Sequence, residues 1–348
     1  MIRRTVALTV LAVLLLAGCT RSTSSGGGGT PAQVYAAGPT TADVRSALGS
    51  DTWWPVTPSF RIRPLGLPRM SEAIRFGITQ RFVHVGSSET LIVDYEVLNS
   101  VSTATALFNF EQNNTTTVTG PKAGDSAIYF QTRTPTDTSL YDTNALVRVG
   151  QVLIQIDLSQ AQGYASTSQM GKLANKLVSK LKSATTSRAT PSPLPASDAQ
   201  LLLPLGTDVT LAAAVKLPIE AAAELLGASS PQDVTDSFTS RGVKDFLFGD
   251  YALNADLNME VRAVVFTFTS DADAASWIDL AIGSSNLDAS GVASGYAASI
   301  GEYYAFILAG SHVGMLYCNS LSPYEAASRA CESPLGRIID SWHSRLAA

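Results

Sequence analysis

The chain has 348 residues, of which 45% are hydrophobic and 15% charged, with a formal net charge of −5. That leaves enough apolar chain to bury the cores of two ordinary domains, each of about 100 to 200 residues. Beyond the amino-terminal segment no apolar run is long enough to cross a membrane as a helix, so a soluble body is expected, with no nucleic-acid partner.

In chain order, Arg3 and Arg4 come first, then an apolar segment from Val6 to Ala17 that runs into Leu16-Ala17-Gly18-Cys19. A spanning helix needs roughly 20 apolar residues, so this shorter run reads as the core of an export signal. The cysteine after Leu-Ala-Gly resembles the lipobox of bacterial lipoproteins. That resemblance implies a leader, residues 1–18, that is cut away, and acylation of Cys19, which becomes the first residue of a mature lipoprotein. The chain would then be held at the cell membrane by its lipid, facing away from the cytoplasm. Ordinary secretion, with Cys19 an incidental thiol, is the alternative. Each buried CH₂ of an acyl chain contributes about 0.8 kcal/mol, so several chains hold far longer than one. Residues 19–41, rich in Gly, Ser, Thr and Ala, read as a flexible tether.

A first domain is expected over residues 42–184, a Pro, Ser and Thr linker over 185–198, and a second domain over 199–348. The two domains are similar in sequence. LGSDTWWPVTPSF (Leu48 to Phe60) aligns without a gap with LGASSPQDVTDSF (Leu226 to Phe238), each after a short helical signal, Asp43 to Leu48 and Ile219 to Leu226. ETLIVDYEVLNSVSTATALFNF then matches EVRAVVFTFTSDADAASWIDLA, each a strand, a capping serine and a helix. Around Gly150 and Gly310, two strands meet at a tight turn. Each half closes with an amphipathic helix: Met170, Leu173, Ala174, Leu177 and Leu181 in the first, Ile338, Ile339, Trp342 and Leu346 in the second. The fold class expected is α+β, two tandem similar domains, each an antiparallel sheet with helices packed on one face.

The halves differ in charge. From Asp43 to Arg188 there are 14 Lys plus Arg against 11 Asp plus Glu, net +3; from Asp198 onward, 7 against 18, net −11. The first half could face anionic groups, whereas the second should be repelled by a membrane; the alternative is that both charge sets only solvate their faces.

Besides Cys19, the chain has only Cys318 and Cys331. Export favours a disulfide between them over two free thiols. His312 and His343 do not complete a zinc site with these cysteines, because neither pair has finger-like spacing. No Gly-x-Ser-x-Gly elbow, His-Glu-x-x-His motif or phosphate loop is present, and GSHVG (Gly310 to Gly314) places His312 in a strand turn. NADLNME (Asn254 to Glu260) alternates as a strand does and lacks the glycine of a calcium loop. No catalysis, cofactor or metal is therefore expected. Neighbouring extended side chains point to opposite faces, so Trp53 and Trp54 read first as ordinary packing and, with Arg61, Arg63 and Arg69 nearby, as the candidate ligand-binding residues.

The helix end at Leu-Gly, the paired strands about a glycine turn and the closing helix resemble the extracellular sensor-type domains of bacterial Ser/Thr kinases and related lipoproteins. This resemblance implies binding of an envelope lipid, glycan or protein outside the cell. A structural or assembly lipoprotein that presents protein-contact surfaces is the alternative.

Overall fold

The structure, a computed structural model, describes residues 28–56, 58–61, 73–84, 86–133, 140–186, 194–204, 208–219, 231–253, 259–297, 302–320 and 331–348. Cys19 and the leader, Arg63, Arg69, the expected helix beyond Ile219, and Asn254 to Asn258 lie outside the described residues.

The first two elements correct an expectation. Thr30 and Gln33 cap each other reciprocally at the start of α1 (Pro31–Ala36), whose first position is a proline. Thr40 and Asp43 do the same for α2 (Thr41–Leu48). Such boxes satisfy two otherwise orphaned backbone donors and nucleate a helix even in a small-residue sequence. Val34 and Ala37 are fully buried. Residues 30–41 thus belong to the folded body, not to the tether.

The first unit continues with β1 (Trp53–Pro55), β2 (Ser59–Arg61), β3 (Ile74–His84), β4 (Thr90–Leu98) and α3 (Val101–Asn114). It is completed by β5 (Thr117–Val118), β6 (Ser126–Arg133), β7 (Tyr141–Val149), β8 (Val152–Gln160) and α4 (Thr167–Thr186). The strands form one antiparallel sheet in the order β1-β3-β4-β8-β7-β6-β5, with β2 also pairing with β3. The second unit contains α5 (Ala196–Ala199), β9 (Val209–Leu217), α6 (Pro231–Ser240), β10 (Val243–Leu253), β11 (Met259–Phe268) and α7 (Asp271–Ile282). It ends with β12 (Val292–Ala297), β13 (Glu302–Ala309), β14 (His312–Ser320) and α8 (Glu332–Leu346). Its sheet runs β12-β13-β14-β11-β10-β9. The path β3-β4-β8-β7-β6 is therefore repeated as β10-β11-β14-β13-β12, and the chain is two tandem α+β units. Strand β9, which no local pattern announced, adds an edge that the first unit fills with β1 and β2.

Alternation along the strands sets the layers. Leu91, Val93, Tyr95 and Val97 of β4 pack with Met170, Leu173 and Leu177 of α4. Leu98, Leu146 and Leu153, of opposite parity, pack with Ala104 and Phe108 of α3. The second unit divides in the same way, with Trp342 of α8 on one face and Ile278 of α7 on the other. The closing helices lie on one face as expected, while the helices between strands occupy the opposite one. Ser100 and Ser270 cap α3 and α7, accepting from the backbone of Thr103 and Asp273.

Gly150 and Gly310 both have φ +57°. Val149 pairs with Val152, and Ala309 with His312, so each hairpin turns in two residues, where positive φ matches the twist of the strands. The disulfide joins Cys318 to Cys331 with a Cα–Cα distance of 6.3 Å, and both cysteines are fully buried.

Two boundaries differ from expectation. Helix α4 runs through Thr186, and Leu194 is buried in the second core, so the expected linker 185–198 is ordered at both ends. The gapless alignment of Leu48 to Phe60 with Leu226 to Phe238 is not a structural equivalence either. Its first copy supplies β1 and β2, whereas Pro231 to Phe238 in the second lie in α6. Pro55 and Pro58 bar a helix through the first copy, while Pro231 stands at the first helical position, where it is tolerated.

Candidate functional site

A cleft of about 470 Å³ opens between the two units. The first unit contributes Tyr35 and Gly38 to Thr41 from the α1–α2 corner, Pro55, Val56 and Pro58 around β1, and Gln80 to Phe82 of β3. The second contributes Leu194 and Ala214 to Lys216 of β9. None of these segments is near another in sequence. The cleft exists because α1 is wedged among β3, α4 and β9, while Ala212 and Ala252 of the second unit join the first unit's core.

Three features give it chemistry. The Gln80 side chain is 7% exposed. Its Nε2 donates to the Tyr35 carbonyl at 3.1 Å, whereas its Oε1 is buried with no hydrogen-bond partner. A buried acceptor left without a donor costs about 1–3 kcal/mol, and this one lies behind the cleft wall, closed off from solvent. A Cβ on Gly38 would stand 2.0 Å from that oxygen, so only glycine allows this approach. Two cations, Arg81 and Lys216, stand at the margins. Burial disfavours the charged form of Lys216, but Asp245 at 3.2 Å and Asp198 at 3.4 Å outweigh it and raise its pKa.

A charge cluster holds the corner beneath. Asp43 accepts from Lys176 at 2.6 Å and Lys180 at 2.9 Å, and Lys180 also donates to the Gly38 carbonyl. Burial opposes ionisation of Asp43, but hydrogen bonds from Lys176, the backbone of Thr40 and Lys180 prevail and hold its carboxyl well below the usual carboxylate range. The lysines of α4 therefore clamp the α1–α2 corner; they do not simply solvate the helix.

The candidate tryptophans lie beside this cleft and do not line it. Trp53 is 1% exposed, stacked on His84 with ring centroids 5.1 Å apart. Trp54 is half-buried, lies under the Arg45 guanidinium at 4.4 Å and packs against the second unit's aromatic cluster. Arg61 lies on β2, paired with Gly77. The pair thus serves packing and joins the units, while Pro55 and Val56, one step further on, reach the cleft.

His84 has a partner that its spacing concealed. Glu89, across the β3–β4 turn, lies 3.1 Å from Nδ1, and Ser50 Oγ lies 3.0 Å from Nε2. This serine–histidine–acid order resembles a nucleophile relay. Here the Ser50 oxygen also accepts from the Thr52 backbone at 3.3 Å, and the imidazole face is covered by Trp53. The relay fastens β1 to the β3–β4 hairpin. His312 begins β14 at its turn, and no group of three metal-ligating side chains occurs among the described residues. No described helix is long and apolar enough to cross a membrane.

No protein-family model matches the chain, and no curated protein matches it either. Among solved structures it is similar to the extracellular domain of PknH from Mycobacterium tuberculosis, at 15% identity and a TM-score of 0.35, over 42% of this chain and 94% of that one. It is also similar to an uncharacterised Mycobacterium smegmatis protein, the Rv0999 ortholog, at 10% identity and a TM-score of 0.21, over 46% of this chain and 98% of that one. Likeness at this level extends to neither ligand nor partner.

Proposed function

We propose that the chain is a lipid-anchored, extracytoplasmic binding or sensor module that takes its ligand in the cleft between the units, without catalysis. The observation that carries this reading is a mostly apolar cleft whose lining brings Gln80, Arg81 and Lys216 together from both units, since a few convergent polar groups in an apolar concavity are what ligand sites share. The ligand that fits is largely apolar, with polar groups to meet these side chains. The lipobox residues ending at Cys19 and the Cys318–Cys331 disulfide support an oxidising location outside the cytoplasm.

Thermal unfolding of the full chain across envelope lipids, glycans and peptides tests the reading. At least one class should raise the midpoint of the wild type and fail to raise that of Thr41→Trp, which fills the cleft from the first turn of α2. No shift with any class would overturn it. A fluorophosphonate probe should leave Ser50 unlabelled; labelling abolished by His84→Gln would make the relay catalytic and the binding reading wrong.

A further inference from the structure

The second unit carries a concavity of its own, separate from the cleft. It is about 600 Å³ and lies on the outer face of β12 to β14, beside the end of α7. Glu302, Tyr304 and Phe306 line it from β13 and Tyr317 from β14. Tyr304 and Tyr317 are cross-strand partners. The rings meet edge to face, Tyr304 with Phe306 at 6.0 Å and Phe306 with Tyr317 at 6.5 Å, and all three are half-buried where they line the concavity. The floor on β12 is small. Gly295 pairs with Tyr304, and a Cβ there would stand 2.8 Å from the Tyr304 hydroxyl, so glycine lets that ring lie across the edge strand.

Charge decides what fits over these rings. Glu302 is the one charged side chain among the described lining residues, and it is half-buried. Arg262, the cation that acts on Glu302, is already held by Glu260 at 2.9 Å and 3.0 Å. Those two cancel, leaving one net negative charge at a wall of ring faces. Burial raises the Glu302 pKa, against the opposing influence of Arg262, and pushes Tyr317 up to about 12. Among the described lining residues an anion has no counter-charge. A cation gains from the ring quadrupoles and the carboxylate together.

We infer that this groove binds a small, soluble quaternary ammonium compound, its cationic head over Tyr304, Phe306 and Tyr317 and opposite Glu302. A free solute fits better than a lipid headgroup, because the unit's net charge of −11 opposes approach to an anionic bilayer.

Isothermal titration of the full chain with choline, and with its neutral isostere 3,3-dimethylbutan-1-ol, tests this directly. Choline should bind saturably, and the isostere at least about tenfold more weakly, since only the charge differs. Glu302→Gln and Tyr304→Ala should each weaken choline by about tenfold or more while far-ultraviolet circular dichroism stays that of the wild type. Absence of choline saturation, equal binding of the isostere, or undiminished binding by folded variants would each overturn the inference. So would binding of phosphatidylcholine vesicles without binding of choline, or a preference for a neutral disaccharide. Thr41→Trp should leave choline binding unchanged, which separates failure here from failure of the inter-unit cleft.

Discussion

Two outer sheet faces with the same strand path carry opposite chemistry. Counted from the turn glycines Gly150 and Gly310, Asn144 stands where Tyr304 stands in the second unit, Asp157 where Tyr317 stands, and Asp142 where Glu302 stands. In the first unit two of these positions form polar contacts, Ser159 Oγ donating to Asp142 at 2.5 Å and Gln155 Nε2 to Asp157 at 2.8 Å. In the second they form an aromatic surface. The opposite faces, packed on α4 and α8, stay apolar in both. The faces under the closing helices are thus alike in the two units, whereas on the other face buried Asp142 and Asn144 of the first unit stand where half-buried Glu302 and Tyr304 stand in the second.

The largest expected effect breaks the comparison at the closing helices. Trp342 is fully buried, and its indole N–H donates to the Leu201 carbonyl at 2.8 Å, whereas α4 fills the same role with smaller side chains. Trp342→Ala should cost about 4 kcal/mol, read as a lower urea midpoint. The disulfide is the next asymmetry. Cys318→Ser with Cys331→Ser should cost about 3 kcal/mol, and reductant should lower the melting midpoint of the wild type but not of this variant.

Trp54 tests whether the halves unfold together. It bridges Arg45 and the second unit's aromatic cluster, so Trp54→Ala should cost about 2 kcal/mol and split a single calorimetric transition into two. The smallest effect belongs to Asp43. Its folded pKa lies below the ordinary value of about 3.9, so its stabilisation is complete above that value and is lost as pH falls through it towards the folded one. Asp43→Asn should cost about 1 kcal/mol at pH 7 and flatten the acid side of the stability curve below about pH 4, measured by urea midpoints across pH.

Much of the fold is legible in the sequence because its signals are local. The hairpins at Gly150 and Gly310, the serine caps at Ser100 and Ser270 and the stripe from Met170 to Leu181 each sit within a few residues. The helix at Pro31 to Ala36 was legible too, in Thr30 with Gln33, but its Gly- and Thr-rich surroundings read as tether. Trp53 and Trp54 stand out in the sequence, but only the fold shows that they pack on His84 and on the second unit. The cleft was illegible for a different reason. It assembles residues from near positions 35, 55, 80, 194 and 215, and no spacing announces contacts across two domains. Glu89 as partner of His84 needed the turn between β3 and β4 to bring it back.

Native mass spectrometry of the full chain purified from the cells that naturally produce it tests the cleft most directly. The wild type should carry a non-covalent mass that denaturation removes, and Thr41→Trp should be bare. A wild type that is equally bare, or a mass held alike by both proteins, would contradict a ligand between the units.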